Sequence, residues 1–296
     1  VCHRLHSLPH KSEVDEAVGV LVLAAIRQAD DREMGELEDR VFTLTRLGAG
    51  WNPHNVALPY LKWKYRILFG PDCHPEPAQI DRYISAVRAL WPVLDEEQRL
   101  RHRLHLNLAI ALSALQQYEE LAILGQDILS GWRVDPRYEP ALEGVLRRLA
   151  KLQAGGVLRR LLPAVLAAPQ LSTTMTGVAI EVLAALSRMP AAIEEHQVVA
   201  SQLRLLWSVK DSKATLPLRS HQQLVGAAQR YADFKLLREW LCHAMGLLDQ
   251  PLLRQAATSA LKDLMVFDPG EDVAEMVAAA HLGDPFDAMS AMLRAS

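Results

Sequence analysis

Histidine is the chain's most abundant residue type suited to chemistry near neutral pH, with eleven in all. His102 and His105 stand three apart, and His3, His6 and His10 are similarly spaced. A zinc site needs three or four ligands, and no Asp, Glu or Cys completes either group at ligand spacing. Cys73-His74 falls in a proline-rich loop and Cys242-His243 on a helix. Adjacent helical residues point roughly 100° apart, so neither pair suits one ion. The histidines are expected at the surface or at helix caps. Glu194-Glu195-His196 has the composition of an acid–base pair, but it lies near a helix start, where carboxylates are favoured by the positive helix end. The sequence contains no G-x-x-x-x-G-K-[ST], no G-x-G-x-x-G, no G-x-S-x-G and no H-E-x-x-H. No catalytic residue, cofactor or metal ligand is assigned, and the expectation is a protein that is not an enzyme.

The basic residues suggest contact chemistry instead. Arg99, Arg101 and Arg103 crowd the start of one expected helix together with His102 and His105. Arg99 and Arg103 are four apart and are expected to share a face. Arg147, Arg148, Lys151, Arg159 and Arg160 fall on two helices joined by Gly155-Gly156, read as a helix C-cap. An antiparallel return would bring those five charges to one edge. Arg147, Arg148, Lys151, Arg159, Arg160, Arg99 and Arg103 are therefore the candidate partner-binding residues, with an ordinary solvated helix face as the competing assignment. Lys62-Trp63-Lys64-Tyr65-Arg66 interleaves cations and aromatics as single-strand binders do. Helical spacing groups Tyr65 with Leu61 and Leu68, so core packing is expected there.

Composition narrows the class. Half of the 296 residues are apolar, enough for a buried core, and Leu and Ala dominate, which favours helix. A net charge of −3 lacks the basic excess of a dedicated duplex-DNA binder. Cys2, Cys73 and Cys242 are odd in number and form no C-x-x-C, which points to a reducing, intracellular setting. The longest apolar run, Ala17 to Ile26, is too short for a bilayer crossing of about 20 residues, so no membrane insertion is expected. No secretory signal is visible. The first residue is Val, which reads as a fragment or a processed form.

Helical periodicity and breakers predict helices over 12–28 and 31–47, then one carrying Leu58, Leu61, Tyr65 and Leu68 that stops at Gly70-Pro71. Further helices are expected at 77–91, 95–116, 118–131, 139–153, 156–168, 173–189, 191–209, 219–232, 234–248, 251–267, 271–282 and 285–294. Ser172 is the expected cap of one of them. No segment has the period-two pattern of a strand. The predicted organisation is an irregular segment 1–11, a helical array over 12–209, a linker at Lys210–Pro217, and a continuing array over 218–296. The fold class is all-α, with stacked antiparallel helix pairs forming an α-solenoid.

Two segments share a plan. Asn107–Glu120 and Gln223–Leu236 each hold an apolar helix, a short polar turn and an aromatic opening the next helix. They resemble the tetratricopeptide repeat. The resemblance sets Leu108 and Ala109 at the Leu-Gly position, Tyr118 and Phe234 at the aromatic position, Ala244 at the small position of the second helix and Pro136 at the terminal proline. It implies that Tyr118 is buried between its own two helices. Leu121 and Leu237 depart from the family's small residue, the signature Trp is missing, and Tyr118 and Phe234 lie 116 positions apart, not a multiple of 34. A HEAT-like or irregular helical repeat is the alternative. The functional expectation is a non-catalytic interaction scaffold or complex subunit that binds a protein partner. Surplus Ala and Met in stretches such as Ala184–Met189 are read as partner surface. An RNA-binding helical repeat is the second reading, disfavoured by the acidic balance, and a helical enzyme of unfamiliar type the third.

Overall fold

The computed structural model describes residues 57–168, 171–208, 216–244 and 250–268, with positions 24, 270 and 273. The expected elements at 1–11, 12–28, 31–47, 271–282 and 285–294, the histidines His3, His6 and His10, and most of the 210–217 linker lie outside those residues. Every regular element among the described residues is helical. The chain divides into two compact units, Val1–Arg148 and Leu149–Ser296.

In the first unit, α1 (Ala57–Phe69) packs on α2 (Pro77–Leu90), and α2 packs on α4 (Leu104–Ala114). Between them come a 3-10 turn, Trp91–Val93, and the short α3 (Glu96–Arg101), which also contacts α4. α4 packs on α5 (Tyr118–Trp132), which meets a second 3-10 turn at Pro136–Tyr138 before α6 (Glu139–Lys151). Local chemistry fixes the starts. Pro77 takes the first position of α2, where its missing N–H costs nothing. Asp95 caps α3 by accepting from Gln98 N at 2.8 Å, and Gln98 Oε1 accepts from Asp95 N at 3.1 Å, a capping box.

The second unit holds α7 (Gly155–Leu166), α8 (Thr173–Leu186), α9 (Ile193–Ser208), α10 (Leu218–Arg230), α11 (Phe234–Ala244) and α12 (Pro251–Phe267). Ser172 caps α8 as expected, its Oγ accepting from Met175 N at 3.0 Å. α8 is the hub. It packs on α7, α9 and α10, and from Met175 to Leu186 only Glu181 escapes burial. α10 in turn packs on α11 and α12. Helices thus contact both their next neighbour and the one after it, as α8 does with α9 and α10.

Four expectations about the helices and their packing require correction. The helix expected over 95–116 is two helices, because Arg103 adopts a left-handed conformation (φ 52°) at the start of α4. Gly155-Gly156 is not a C-cap: both residues open α7, and the left-handed residue is Gln153 (φ 54°). Ala184, Ala185, Leu186 and Met189 are buried in their own unit, so that stretch is core and not partner surface. Tyr118 is 37% exposed at the first position of α5. A helical side chain leans toward the N-terminus, so at this position Tyr118 leans past the end of α5 and out of the seam. Leu121, fully buried one turn later, fills the seam where the family has a small residue.

Candidate functional site

A cleft of about 690 Å³ runs along α1, lined by Leu58, Pro59, Lys62, Tyr65, Arg66 and Phe69, with Trp63, Gly70 and His102 at its edges. A second space of about 450 Å³ shares Leu58, Lys62, Tyr65 and His102 with it. That space continues past Arg101 and Arg103 to Leu104 and Asn107 on α4. The two form one depression between α1 and the α3–α4 corner. Lys62, Arg66, Arg101 and Arg103 are exposed along it, and the described lining contains no carboxylate. None of these four cations has an ion-pair partner among the described residues. Burial pushes the Tyr65 hydroxyl up from its ordinary pKa, and the positive charge of Arg148 opposes that shift, which sets Arg148 within electrostatic range of the cleft.

The Lys62–Arg66 stretch therefore divides. Trp63 and Lys64 are buried, with the Lys64 ammonium 5.8 Å from the Trp63 ring. Lys62 and Arg66, one turn apart, face the cleft with Tyr65 half-buried between them. The Tyr65 ring is committed to neighbours, 5.1 Å from Phe69 and 6.1 Å from Tyr83. In the sequence this stretch and Arg101–Arg103 are separate segments. The break at Arg103 turns the second toward the first.

The other predicted residues fare differently. Arg99 does not share a face with Arg103. Its guanidinium donates to Leu94 O at 3.1 and 2.8 Å and lies 5.3 Å from the Trp91 ring. Arg147 pairs with Glu143 on its own helix. Arg147 and Arg148 belong to the first unit, and Lys151, Arg159 and Arg160 to the second. Arg159 pairs with Glu195 at 3.5 Å and donates to Pro190 O at 3.2 Å. Of the repeat residues, Leu108, Ala109 and Ala244 are buried. Pro136 opens the 3-10 turn capped by Asp135, and Phe234 is half-buried, stacked 6.2 Å from Phe267. His196 faces the Tyr231 hydroxyl at 3.3 Å. No metal-binding group of three or more His, Cys, Asp or Glu occurs among the described residues.

His105 corrects the expectation of surface histidines. It is 4% exposed, with ring centroids 4.7 Å from Trp91 and 5.0 Å from Tyr138. Burial, and then the charge of Arg99, hold its pKa down at about 4, so it is neutral at pH 7. His221 is 2% exposed, 6.0 Å from Trp207, and its Nδ1 accepts from Trp240 Nε1 at 3.1 Å. Burial, and then His243, hold it at about 4 as well.

These two histidines are 116 positions apart, and so are Trp91 and Trp207. The correspondence extends to the helices. α1 and α8 begin 116 apart, as do α2 and α9, and α5 and α11, while α4 and α10 end 116 apart. The connections match. Gln116 (φ 56°) and Ala232 (φ 49°) are left-handed, with Gln117 N donating to Leu112 O at 3.0 Å and Asp233 N to Ala228 O at 2.9 Å. From Ser85 to Leu121 against Ser201 to Leu237, 12 of 37 positions are identical, with no gap needed. That signal was present in the sequence, but a search at a period of 34 passes over it.

Correspondence exposes one difference. α8 and α10 meet in an extensive seam, whereas α1 and α4 have no comparable contact. Val178 and Val182 are fully buried on α8, and their counterparts on α1 are Lys62 and Arg66. Pro217 at the seam is Arg101 at the cleft. No described helix is long and apolar enough to cross a membrane. Comparison of the chain with protein-family profiles, with curated proteins and with solved structures returns no match.

Proposed function

We propose that this chain is a non-catalytic interaction scaffold, a helical-repeat array that binds a protein partner. The observation that carries it is the cleft between α1 and the α3–α4 corner. Its counterpart in the second unit is a closed helix seam, so the shared helix plan does not by itself require an opening there. An opening lined with cations that have no ion-pair partner among the described residues costs buried apolar contact and is accounted for by a ligand. The histidines with the largest pKa shifts are sealed in the cores of both units, where no substrate reaches them. The tetratricopeptide-like arrangement of helix pairs is part of the same reading. The alternation of cations and aromatics in Lys62–Arg66 supports the second reading, an RNA-binding array. Affinity purification of the intact chain from its native source, with and without nuclease, separates the two. Protein that co-purifies in both arms is the expected result. Loss of all partners on nuclease treatment would favour RNA.

A further inference from the structure

We propose that the α1/α3–α4 cleft takes an acidic, apolar-anchored protein segment, a refinement that rests on the scaffold reading. Two kinds of surface meet in the cleft. Leu58, Pro59 and Phe69 offer an apolar floor, and Lys62, Arg66, Arg101 and Arg103 stand exposed around it. Lys62 and Arg66 sit one helical turn apart beside Leu58, Pro59 and Phe69, and Lys62 and Leu58 also line the adjoining space with Arg101 and Arg103, so charge from α1 and from the α3–α4 corner borders the depression. A segment with apolar side chains directed inward and carboxylates along its flanks is complementary to that layout. Its carboxylates meet cations that have no ion-pair partner among the described residues.

Nucleic acid fits the same site less well. Sequence-tolerant single-strand binding uses aromatic faces on which bases stack. Here Trp63 is buried and the Tyr65 ring is packed against Phe69 and Tyr83, so neither presents an open face. A backbone track needs a run of cations, whereas the positions of α8 that correspond to Lys62 and Arg66 are the fully buried Val178 and Val182. The chain as a whole carries a net charge of −3. The favoured ligand therefore pairs local acidity with apolar anchors.

The test titrates the full chain with three fluorescent probes at physiological and at low salt. They are a short synthetic peptide alternating Glu pairs with Leu, the same peptide with Gln for Glu, and a single-stranded oligouridine. The Glu peptide should bind, weaken as salt rises, and lose roughly 10-fold in affinity with Lys62→Glu/Arg66→Glu, as two reversed half-screened charges imply. Arg101→Glu/Arg103→Glu should act similarly. Lys235→Glu, on α11 of the other unit, should leave binding unchanged. All four cleft cations are exposed, and circular dichroism melting of each variant confirms that folding is retained. Equal binding of the Gln peptide, insensitivity to both double reversals, or tighter oligouridine binding abolished by them would each overturn the proposal. Applied to partners captured by the native chain, the same reversals separate the two readings. Protein partners that persist through the reversals leave the scaffold standing and remove this site. A chain that retains no protein partner removes the scaffold itself.

Discussion

The seam between α8 and α10 and the cleft between α1 and α4 occupy the same place in two corresponding sets of helices, and one is shut while the other is open. At the seam Gly177 lets the helices close: a Cβ there would meet Ser220 Oγ at 2.9 Å and Pro217 Cδ at 3.2 Å. Its counterpart is Leu61, and Ser220 corresponds to Leu104. Larger residues stand at both corresponding points, and α4 packs on α2. The seam is a core feature, made by deleting side-chain volume. The cleft is a surface feature, made by restoring that volume and replacing valines with cations. The same fold plan thus yields a hydrophobic joint in one unit and a charged opening in the other, decided by a handful of side chains.

Forcing the seam open should have a large effect. Gly177→Leu forces the leucine into Ser220 and Pro217, and overpacking of this kind costs about 2 to 3 kcal/mol. At the cleft, Lys62→Val, which installs the residue found at the corresponding position of α8, should stay within about 0.5 kcal/mol because Lys62 is exposed. Urea unfolding of the two variants checks the pair. A Gly177→Leu protein as stable as the parent would show that the seam yields freely and that Gly177 does not set it.

The buried histidines sharpen the comparison through pH. Each has a folded pKa near 4, below the ordinary 6.5, so the unfolded chain binds the extra proton first. Their contribution is intact above pH 6.5 and is lost as pH falls from there toward 4. Between pH 7 and pH 5 each should account for about 1 to 2 kcal/mol of lost stability. His105→Phe and His221→Phe should each flatten that acid limb by a similar amount. At pH 7 the two should differ. His221 accepts from Trp240 Nε1, so His221→Phe strands a buried donor at a cost of about 1 to 3 kcal/mol. Among the described residues His105 makes ring contacts with Trp91 and Tyr138 and no hydrogen bond is seen at its buried Nδ1, so His105→Phe should be milder. Equal losses at pH 7, or an acid limb unchanged by either substitution, would contradict these environments.

What the sequence made legible follows from where its signals are local. Ser172, Pro77, Asp95, Pro251 and Gly70-Pro71 act on the backbone within one turn, and each stands at a helix start or stop. The break at His102-Arg103 had no such signal, because neither residue is Gly or Pro. Arg103 takes its left-handed conformation between α3 and α4, both of which it must connect. The cleft was illegible for the same reason. Lys62 and Arg101 are 39 residues apart, and only that break and the packing of α1 and α4 against α2 bring them to one depression. Its residues fall in two separate stretches of sequence with different expected roles, core packing for one and partner contact for the other.

Within the α4–α5 pair, a small effect is expected at the residue on which the repeat resemblance leans most. Tyr118 and Phe234 correspond, and each opens the second helix of its pair. Were Tyr118 wedged in its seam, Tyr118→Ala would cost about 3 kcal/mol or more. It is 37% exposed, and among the described residues its hydroxyl donates to Gln116 Oε1, at 3.3 Å and at the surface. Truncation there should cost under about 1 kcal/mol. Phe234 is half-buried and stacks on Phe267 of α12, a helix-to-helix contact that Tyr118 lacks, so Phe234→Ala should cost more, about 1 to 2 kcal/mol. Leu121→Ala sets the scale, because this fully buried residue holds the α4–α5 seam and its loss should cost about 2 to 5 kcal/mol. Melting of the three variants should rank Leu121, Phe234 and Tyr118 in that order. A Tyr118 variant as damaged as the Leu121 variant would return the aromatic to the seam and restore the family's packing rule at this position.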